Sequence, residues 1–375
     1  MKKLKSIVLL LLLLVSVPGM LNAQQADSLS VAAAAPSEEE EVNVSELVFG
    51  HIGDAYEWHI ATLGGKEWSI PLPVIVHSST GWHVFSSSHL KEGEYEGLYI
   101  ASQGTNEGKI VERNAAGEEV RPFDISITKN VLGLFINSAV LLLILMSCVR
   151  WYKKHPVEEG APRGGVGMVE AMVLMIYEDV IKGCIGEDYK RYAPYLLTAF
   201  FFVLVNNLMG LIPIFPGGAN VTGNIAVTLV LAVCTFILTN VYGSKEYWKE
   251  IFWPEVPVWL KVPIPMMPVI ELFGIFTKPF ALMIRLFANI MAGHAAILSL
   301  IAIIFITVKA GAVINGSMTA VAVLFGIFMD ALEVLVAFIQ AYVFTMLSAV
   351  FIGLSRVKGL SLIHISEPTR LDVIS

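Results

Sequence analysis

Arg285 stands near the centre of the apolar stretch Ile270–Ile306, inside the string Ala281-Leu-Met-Ile-Arg-Leu-Phe-Ala-Asn-Ile-Met-Ala-Gly-His294. Placing a guanidinium at that depth costs at least ~2.5–3.5 kcal/mol even on gentle insertion scales, so something charged or wet must meet it. Arginine is not deprotonated in proteins, which makes the residue a fixed positive charge and not a proton carrier. A carboxylate passing close would be driven towards its ionised form, and the chemistry this indicates is ion movement. The same stretch carries Glu271, Lys278, Asn289 and His294, and a second one, Ala320–Leu354, carries Asp330, Glu333 and Gln340. Glu333 and Gln340 are seven residues apart, hence on one helical face about two turns distant, with Ala337 and Ala341 between or beside them. Asn289, four residues after Arg285, shares its face, whereas His294, nine residues on, projects roughly opposite. Ala281, Ala288, Ala292 and Ala296 keep this helix slim enough for another to approach closely.

Each of these residues also has a purely structural reading. Arg285 could lock two helices through a salt bridge with Glu333 or Asp330, and His294 and Glu333 could form a structural hydrogen bond. Glu271 and Lys278 could pair at i,i+7 or snorkel to a surface. Asn206, Asn207, Thr222 and Asn224 cluster near a turn, where helix capping explains them nearly as well as a water-filled vestibule.

The elements that must position these residues are membrane helices. The 375 residues are 55% hydrophobic and 15% charged, with a mean hydropathy of +0.69, too apolar for an ordinary soluble domain. The net charge of -7 comes largely from acidic residues ahead of the membrane part and gives no support for nucleic-acid binding. Five spans are expected. Val131–Cys148 is followed by Arg150, Lys153, Lys154 and Arg163, which places that end in the cytoplasm. Val166–Lys190 reads as an amphipathic helix along the surface, with Met168, Met172, Met175 and Ile176 on its apolar face. Ala193–Phe215 crosses outward, Ile225–Tyr242 returns, and the proline-rich Trp253–Pro268 is a connector. Val269–Val308 and Ala320–Leu354 are too long for perpendicular spans, since roughly 40 and 35 helical residues measure about 60 and 52 Å against a hydrocarbon core of about 30 Å. Cys148, Cys184 and Cys234 lie in or beside these helices and read as small buried hydrophobes.

Ahead of the membrane part, Lys2, Lys3 and Lys5 precede the apolar run Ile7–Val17, and Ala23 offers a cleavage point, so residues 1–23 read as a signal peptide. A retained anchor is the alternative. An acidic flexible linker, residues 24–41, leads into a β-rich exocytoplasmic domain over residues 42–127. Its strands are expected at Trp58–Thr62, Trp68–His77 and Trp82–Ser86, the second at a sheet edge because it holds Pro71 and Pro73. Five histidines fall here (His51, His59, His77, His83, His89), but no pair has helix-face or finger spacing, and no metal site is expected.

The string Pro279–His294, together with Ile339-Gln-Ala-Tyr-Val-Phe344, resembles the signature segments of subunit a of F-type ATP synthases. The likeness runs from about Tyr192 to Val357 within the membrane domain, residues 128–359. It implies an all-α polytopic fold of five spans with two long tilted helices at the C-terminal end. It also implies the stator of a membrane motor, in which two offset ion half-channels, with the proton as the expected ion, couple ion flow to rotation of a c-ring. Arg285 matches the family's essential arginine. Positions 294 and 333 match a pair that relatives fill with one acid and one imidazole in either order. Glu333, His294 and Gln340 would line the outer path, Glu271 and Asn289 the inner one, and Asn206, Asn207 and Asn224 the outer mouth. Two departures stand out: Gly210, where some relatives place an acid, and Ala288, where glycine is frequent. The implied partners are c-ring subunits, the peripheral-stalk subunit b, the remainder of the ATP synthase and membrane lipid. No cofactor is implied, and no GxxxxGK[ST] loop is present, so ATP chemistry would lie elsewhere in the complex. The implied location is the bacterial inner membrane, with the β-rich domain periplasmic and the C-terminus cytoplasmic. The rival readings are a self-contained channel or secondary transporter, and a membrane-anchored interaction protein. The last stretch, Leu360–Arg370, resembles a translated sequencing-library adapter, which makes residues 360–375 an expected non-native tail.

Overall fold

A computed structural model describes residues 53–356, apart from 64–65, 103, 115–116, 156–159, 213–214 and 254–265. The expected signal peptide, the acidic linker, His51, most of the proline-rich connector and the tail lie outside the described residues.

The β-rich domain is built from three small antiparallel sheets. In one, β1 (Glu57–Leu63) pairs with β2 (Lys66–Pro71). In the next, β3 (Pro73–Ser78) lies between β4 (Gly81–Ser86) and β8 (Phe123–Asp124). In the third, β6 (Ile110–Arg113) lies between β5 (Leu98–Ile100) and β7 (Glu119–Val120). Alternation along β3 turns Val74 and Val76 inward onto Tyr56, Leu90, Leu98 and Ile110, which form the domain's core. The run Trp68–His77 is therefore two strands and not one. Pro71 ends β2, Leu72 turns into the interior, and Pro73 opens β3. The expectation of an edge strand fails for β3, which is central in its sheet, because a proline at a strand's first residue removes no needed ladder bond. The described histidines make separate contacts: His83 bonds Ser78, Thr80 and Glu96, His77 meets Trp82 edge-on, and His89 stacks on Tyr95.

The membrane part begins with α1 (Lys129–Lys154), whose buried stripe is Asn130, Gly133, Leu134, Asn137 and Leu141. After it, α2 (Gly165–Leu174) widens into a π-helical segment, Met175–Lys182, and continues through short turns into α3 (Tyr189–Leu211). The apolar face expected on this stretch turns inward at Met172, Met175 and Ile176, which pack on the main core. Met168 is exposed, but Val169, Ile176, Val180 and Ile181 pack into the main core beside Leu196, Phe200 and Ile352.

Next come α4 (Ile225–Val241) and α5 (Lys245–Phe252), turned 98° from each other, then α6 (Met266–Ile306) and α7 (Ala312–Ser355). Among the described residues four helical stretches are long and apolar enough to cross a membrane, or five if the bent α4–α5 pair is one span. At about 1.5 Å per residue, the 41 residues of α6 and 44 of α7 exceed by about twofold the ~30 Å of a bilayer core. Two boundaries differ from expectation. Pro268 is the third residue of α6, a position where a missing N–H is no loss. α7 opens at Ala312 and not Ala320, its polar Asn315 being held by the Thr307 hydroxyl at 2.9 Å. α7 packs on α3 and α6, and α6 on α4, so the two unusual helices form a hairpin against the rest. At the far end Arg356 donates to Asp188 (Nε, 3.0 Å) and to the Tyr242 carbonyl (2.9 Å), tying together the ends of α3, α4 and α7.

Candidate functional site

Across the α6–α7 hairpin, His294 Nδ1 and Glu333 Oε1 are 2.7 Å apart. Glu333 is 5% exposed, and its other oxygen, Oε2, has no hydrogen-bond partner among the described residues. A buried carboxylate oxygen left so is a place for water or a passing proton. Gly293 makes the approach possible, because a Cβ there would lie 2.6 Å from Glu333 Oε1. The face expected on α7 is the one that turns inward: Glu333, Ala337, Gln340 and Ala341 are all buried.

Arg285 is elsewhere. Nine residues before His294, it points away from the pair, on a face with Ala281, Ala288, Asn289 and Ala292 that the chain itself leaves exposed. Among the described residues no carboxylate lies within ion-pair distance of it, so the proposed salt bridges with Glu333 and Asp330 are absent. Glu333 is committed to His294, and Asp330 is exposed. Glu271 and Lys278 likewise form no pair among the described residues. Glu271 is half-buried beside Tyr247 of α5, fourteen residues before Arg285, and Lys278 lines a small cavity with Thr239, Asn240 and Tyr247.

The asparagines divide between the two readings. Asn224 is the N-cap of α4, its side chain accepting from the Ala226 N–H at 2.9 Å, so capping accounts for it. Asn206 and Asn207 are buried in the last third of α3. Asn206 accepts from Asn137 Nδ2 of α1 at 3.0 Å. Asn207 accepts from the Thr222 hydroxyl at 2.6 Å and donates to the Ala337 carbonyl of α7 at 3.3 Å. Gly210, one turn on, faces the other imidazole nitrogen of His294, 3.6 Å from where a Cβ would stand. Asn206 and Asn207 thus stand one turn before the glycine that faces His294. Sequence reasoning passed over Asn137, which bonds Asn206, and Asn220, which lies against Met291; an asparagine within an apolar span was the available signal for Asn137.

Known proteins are similar to this chain in sequence. A family described as ATP synthase A chain matches residues 132–353, and one described only as a domain of unknown function, DUF8433, matches residues 47–128. The ATP synthase subunit a of Chlorobium phaeobacteroides strain DSM 266 is 48% identical over 240 residues, 62% of this chain and 66% of that protein. That of Chloroherpeton thalassium is 43% identical over 243 residues, covering 63% of this chain and 68% of the relative. A longer match, to the subunit a of Chlorobium phaeobacteroides strain BS1, is 42% identical over 307 residues, 74% of this chain and 86% of the relative. This chain thus spans about two thirds of the length of the first two relatives and more of the third. A polytopic helical bundle, a lone arginine on its open face, a buried acid–imidazole pair and a match over residues 132–353 agree on one conclusion: the chain belongs to the ATP synthase A chain family.

Proposed function

We propose that this chain is the stator subunit of an F-type ATP synthase membrane motor, providing two half-channels for protons beside a rotating ring of c subunits. The observation that carries the reading is the division of labour across α6. Arg285 stands on the face left open with no ion-pair partner among the described residues, and His294 with Glu333 lies on the opposite side. A fixed positive charge facing a ring carboxyl keeps that carboxyl ionised as it passes, while a carboxyl facing lipid must be neutral. Rotation then requires protons to enter by one path and leave by the other. Glu333, His294 and Gln340, with Asn206 and Asn207 towards the mouth, serve as the outer path; Glu271 and Asn289 serve as the inner one. Subunit b and the catalytic head complete the assembly, since nothing in this chain binds nucleotide by a phosphate loop. The self-contained channel or transporter is not favoured by the family membership.

In this reading the protein crosses a bacterial inner membrane five times, with the β-rich domain periplasmic and the Arg356 end cytoplasmic. The mature chain starts near Gln24, and residues 360–375 are not native. N-terminal sequencing of the assembled complex and resequencing of the source DNA check these two points. A mature start at Met1, or an unbroken reading through Ser375, would overturn them respectively.

The deciding experiment is Arg285→Ala in vesicles whose complex content has been quantified. Loss of proton-driven ATP synthesis with assembly intact is expected, together with a raised passive leak, because the barrier between the aqueous paths is gone. Normal synthesis by this variant would overturn the proposal.

A further inference from the structure

The β-rich domain falls in the segment that matches a domain of unknown function, residues 47–128. We infer that this domain is a clamp that sets the geometry of the outer ion path through the α3–α4 loop. The inference rests on the reading of His294 and Glu333 as that path.

The attachment is made by Asp54, Ala55 and Trp58. Asp54 Oδ1 accepts the backbone N–H of Asn130 at 3.0 Å and that of Ala55 at 3.1 Å, while the Lys129 N–H donates to the Ala55 carbonyl at 2.8 Å. The N-cap residue of α1, Thr128, makes no side-chain cap bond. The domain thus supplies the missing acceptor, a carboxylate at the positive end of a membrane helix. Trp58 then fills the wedge between α1 and the α3–α4 loop. It is 3% exposed, packs with Leu134, Ala219 and Val221, and meets the Phe215 ring edge-on at 5.3 Å between centroids. The wedge is tight at Gly133, where a Cβ would lie 2.4 Å from that of Ala219.

From the loop that Trp58 covers, Asn220 reaches α6 directly, and Thr222 reaches α7 through Asn207 of α3. Thr222 bonds Asn207, and Asn207 bonds the Ala337 carbonyl, one turn past Glu333 on α7. Asn220 Nδ2 lies 3.6 Å from Met291 Sδ, three residues before His294 on α6. Ala219, Asn220, Val221 and Thr222 are all buried, so this loop is inserted between the helices and does not lie over them. Without the indole, the loop has lost the surface that presses it home. Thr222 and Asn220 are then free to withdraw, and α6 and α7 lose one of the contacts that hold them beside the His294–Glu333 pair. Trp58 is a positioning residue in this arrangement and touches none of the path itself.

The test uses the intact ATP synthase in membrane vesicles with complex content quantified. The variants are Trp58→Ala, Trp58→Phe, Thr222→Val, the Trp58→Ala/Thr222→Val double and Arg285→Ala as reference. Trp58→Ala and Thr222→Val are each expected to lower proton-driven ATP synthesis per complex by about tenfold, the scale at which a displacement of under an ångström is felt. The double variant should be no worse than the worse single, since both act through one loop. Trp58→Phe, which keeps an aromatic wedge, should retain most of the rate. A domain needed only for folding predicts fewer complexes that each work normally, and that result overturns the clamp, as do fully additive losses in the double variant. Should Trp58→Ala fail to accumulate, Thr222→Val decides alone: an unchanged rate per complex overturns the proposal. Normal synthesis by Arg285→Ala would instead remove the ion-path reading beneath it. Loss in Arg285→Ala with normal Trp58→Ala removes the clamp only.

Discussion

A carboxylate inside a membrane needs either a proton of its own or a partner that shares one, because an isolated charge there is too costly to keep. Glu333 has its partner in His294, at 2.7 Å, and one oxygen left over. In the proposed mechanism the two side chains are a relay whose function depends on having one acid and one base in contact, not on which helix bears which. His294→Glu together with Glu333→His should therefore retain more ATP synthesis than either His294→Ala or Glu333→Ala. A double exchange no better than the worse single would dispose of the coupling. Arg285 differs in kind, since its planar, always-charged head cannot be replaced by an ammonium that loses its proton when desolvated. Arg285→Lys is expected to assemble at normal levels and yet fail in coupled synthesis, and a lysine variant synthesising at the wild-type rate would show that charge alone suffices.

At the scale of elements, close approach and capping decide where these groups sit. Gly293 lets α7 bring Glu333 against α6, and alanine there would meet Oε1 at 2.6 Å. Alanine is the better helix former by about 1 kcal/mol, but overpacking a fitted contact costs ~1–3 kcal/mol, and the second effect wins where the displaced group is held by a hydrogen bond. Gly293→Ala should lower ATP synthesis while leaving helix content unchanged, which parallel activity and circular-dichroism measurements would check. In the β-rich domain, Tyr56 is buried and donates its hydroxyl to Asp124, and both effects push its phenol well above the ordinary tyrosine range. The folded state therefore holds this proton more tightly than the unfolded state does. The stabilisation is complete below about pH 10, the unfolded value, and is lost as pH climbs above it. Limited proteolysis of the assembled complex between pH 8 and pH 11 should reveal an alkaline opening of this domain, and Tyr56→Phe should flatten that dependence while costing about 1 kcal/mol at neutral pH. The positions of the path residues along α6 and α7 were legible because helical spacing alone puts Glu333, Ala337 and Gln340 on one face and His294 opposite Arg285. Which face met which helix was not, since apolar residues surround both. The contacts made by Asp54, Trp58, Asn137 and Asn220 were also hidden, because each joins residues remote in sequence. The helical spacing of Met172, Met175 and Ile176 was legible, but the π winding of Met175–Lys182 was not, because widening by one residue per turn leaves no residue-type signature.

Taken as a whole molecule, the chain covers its helices unequally. Half of the apolar window in the α2–α3 stretch is buried within the fold, but only 11% of that in α6 and 17% of that in α7. The two longest helices, which hold every charged residue of the proposed path, are thus those the chain leaves barest, and in a membrane such faces meet either lipid or another protein. Lipid is a poor neighbour for Arg285 and Asn289, and the small residues flanking them, Ala281, Ala288 and Ala292, fit a closely approaching helix better than acyl chains. The proposed c-ring supplies such a helix. Its contact can be mapped by disulfide formation, because two cysteines bridge only when their Cα atoms come within about 7 Å. Ala288→Cys and Ala292→Cys, each combined with a cysteine on the outward face of the ring subunit near its carboxyl, should cross-link under mild oxidation in assembled complexes. Ile290→Cys, on the buried side of the same turn at 4% exposure, should not. Equal cross-linking from Ile290→Cys, or none from Ala288→Cys and Ala292→Cys, would mean that the ring does not run along this face, and Arg285 would then have to find its carboxylate elsewhere.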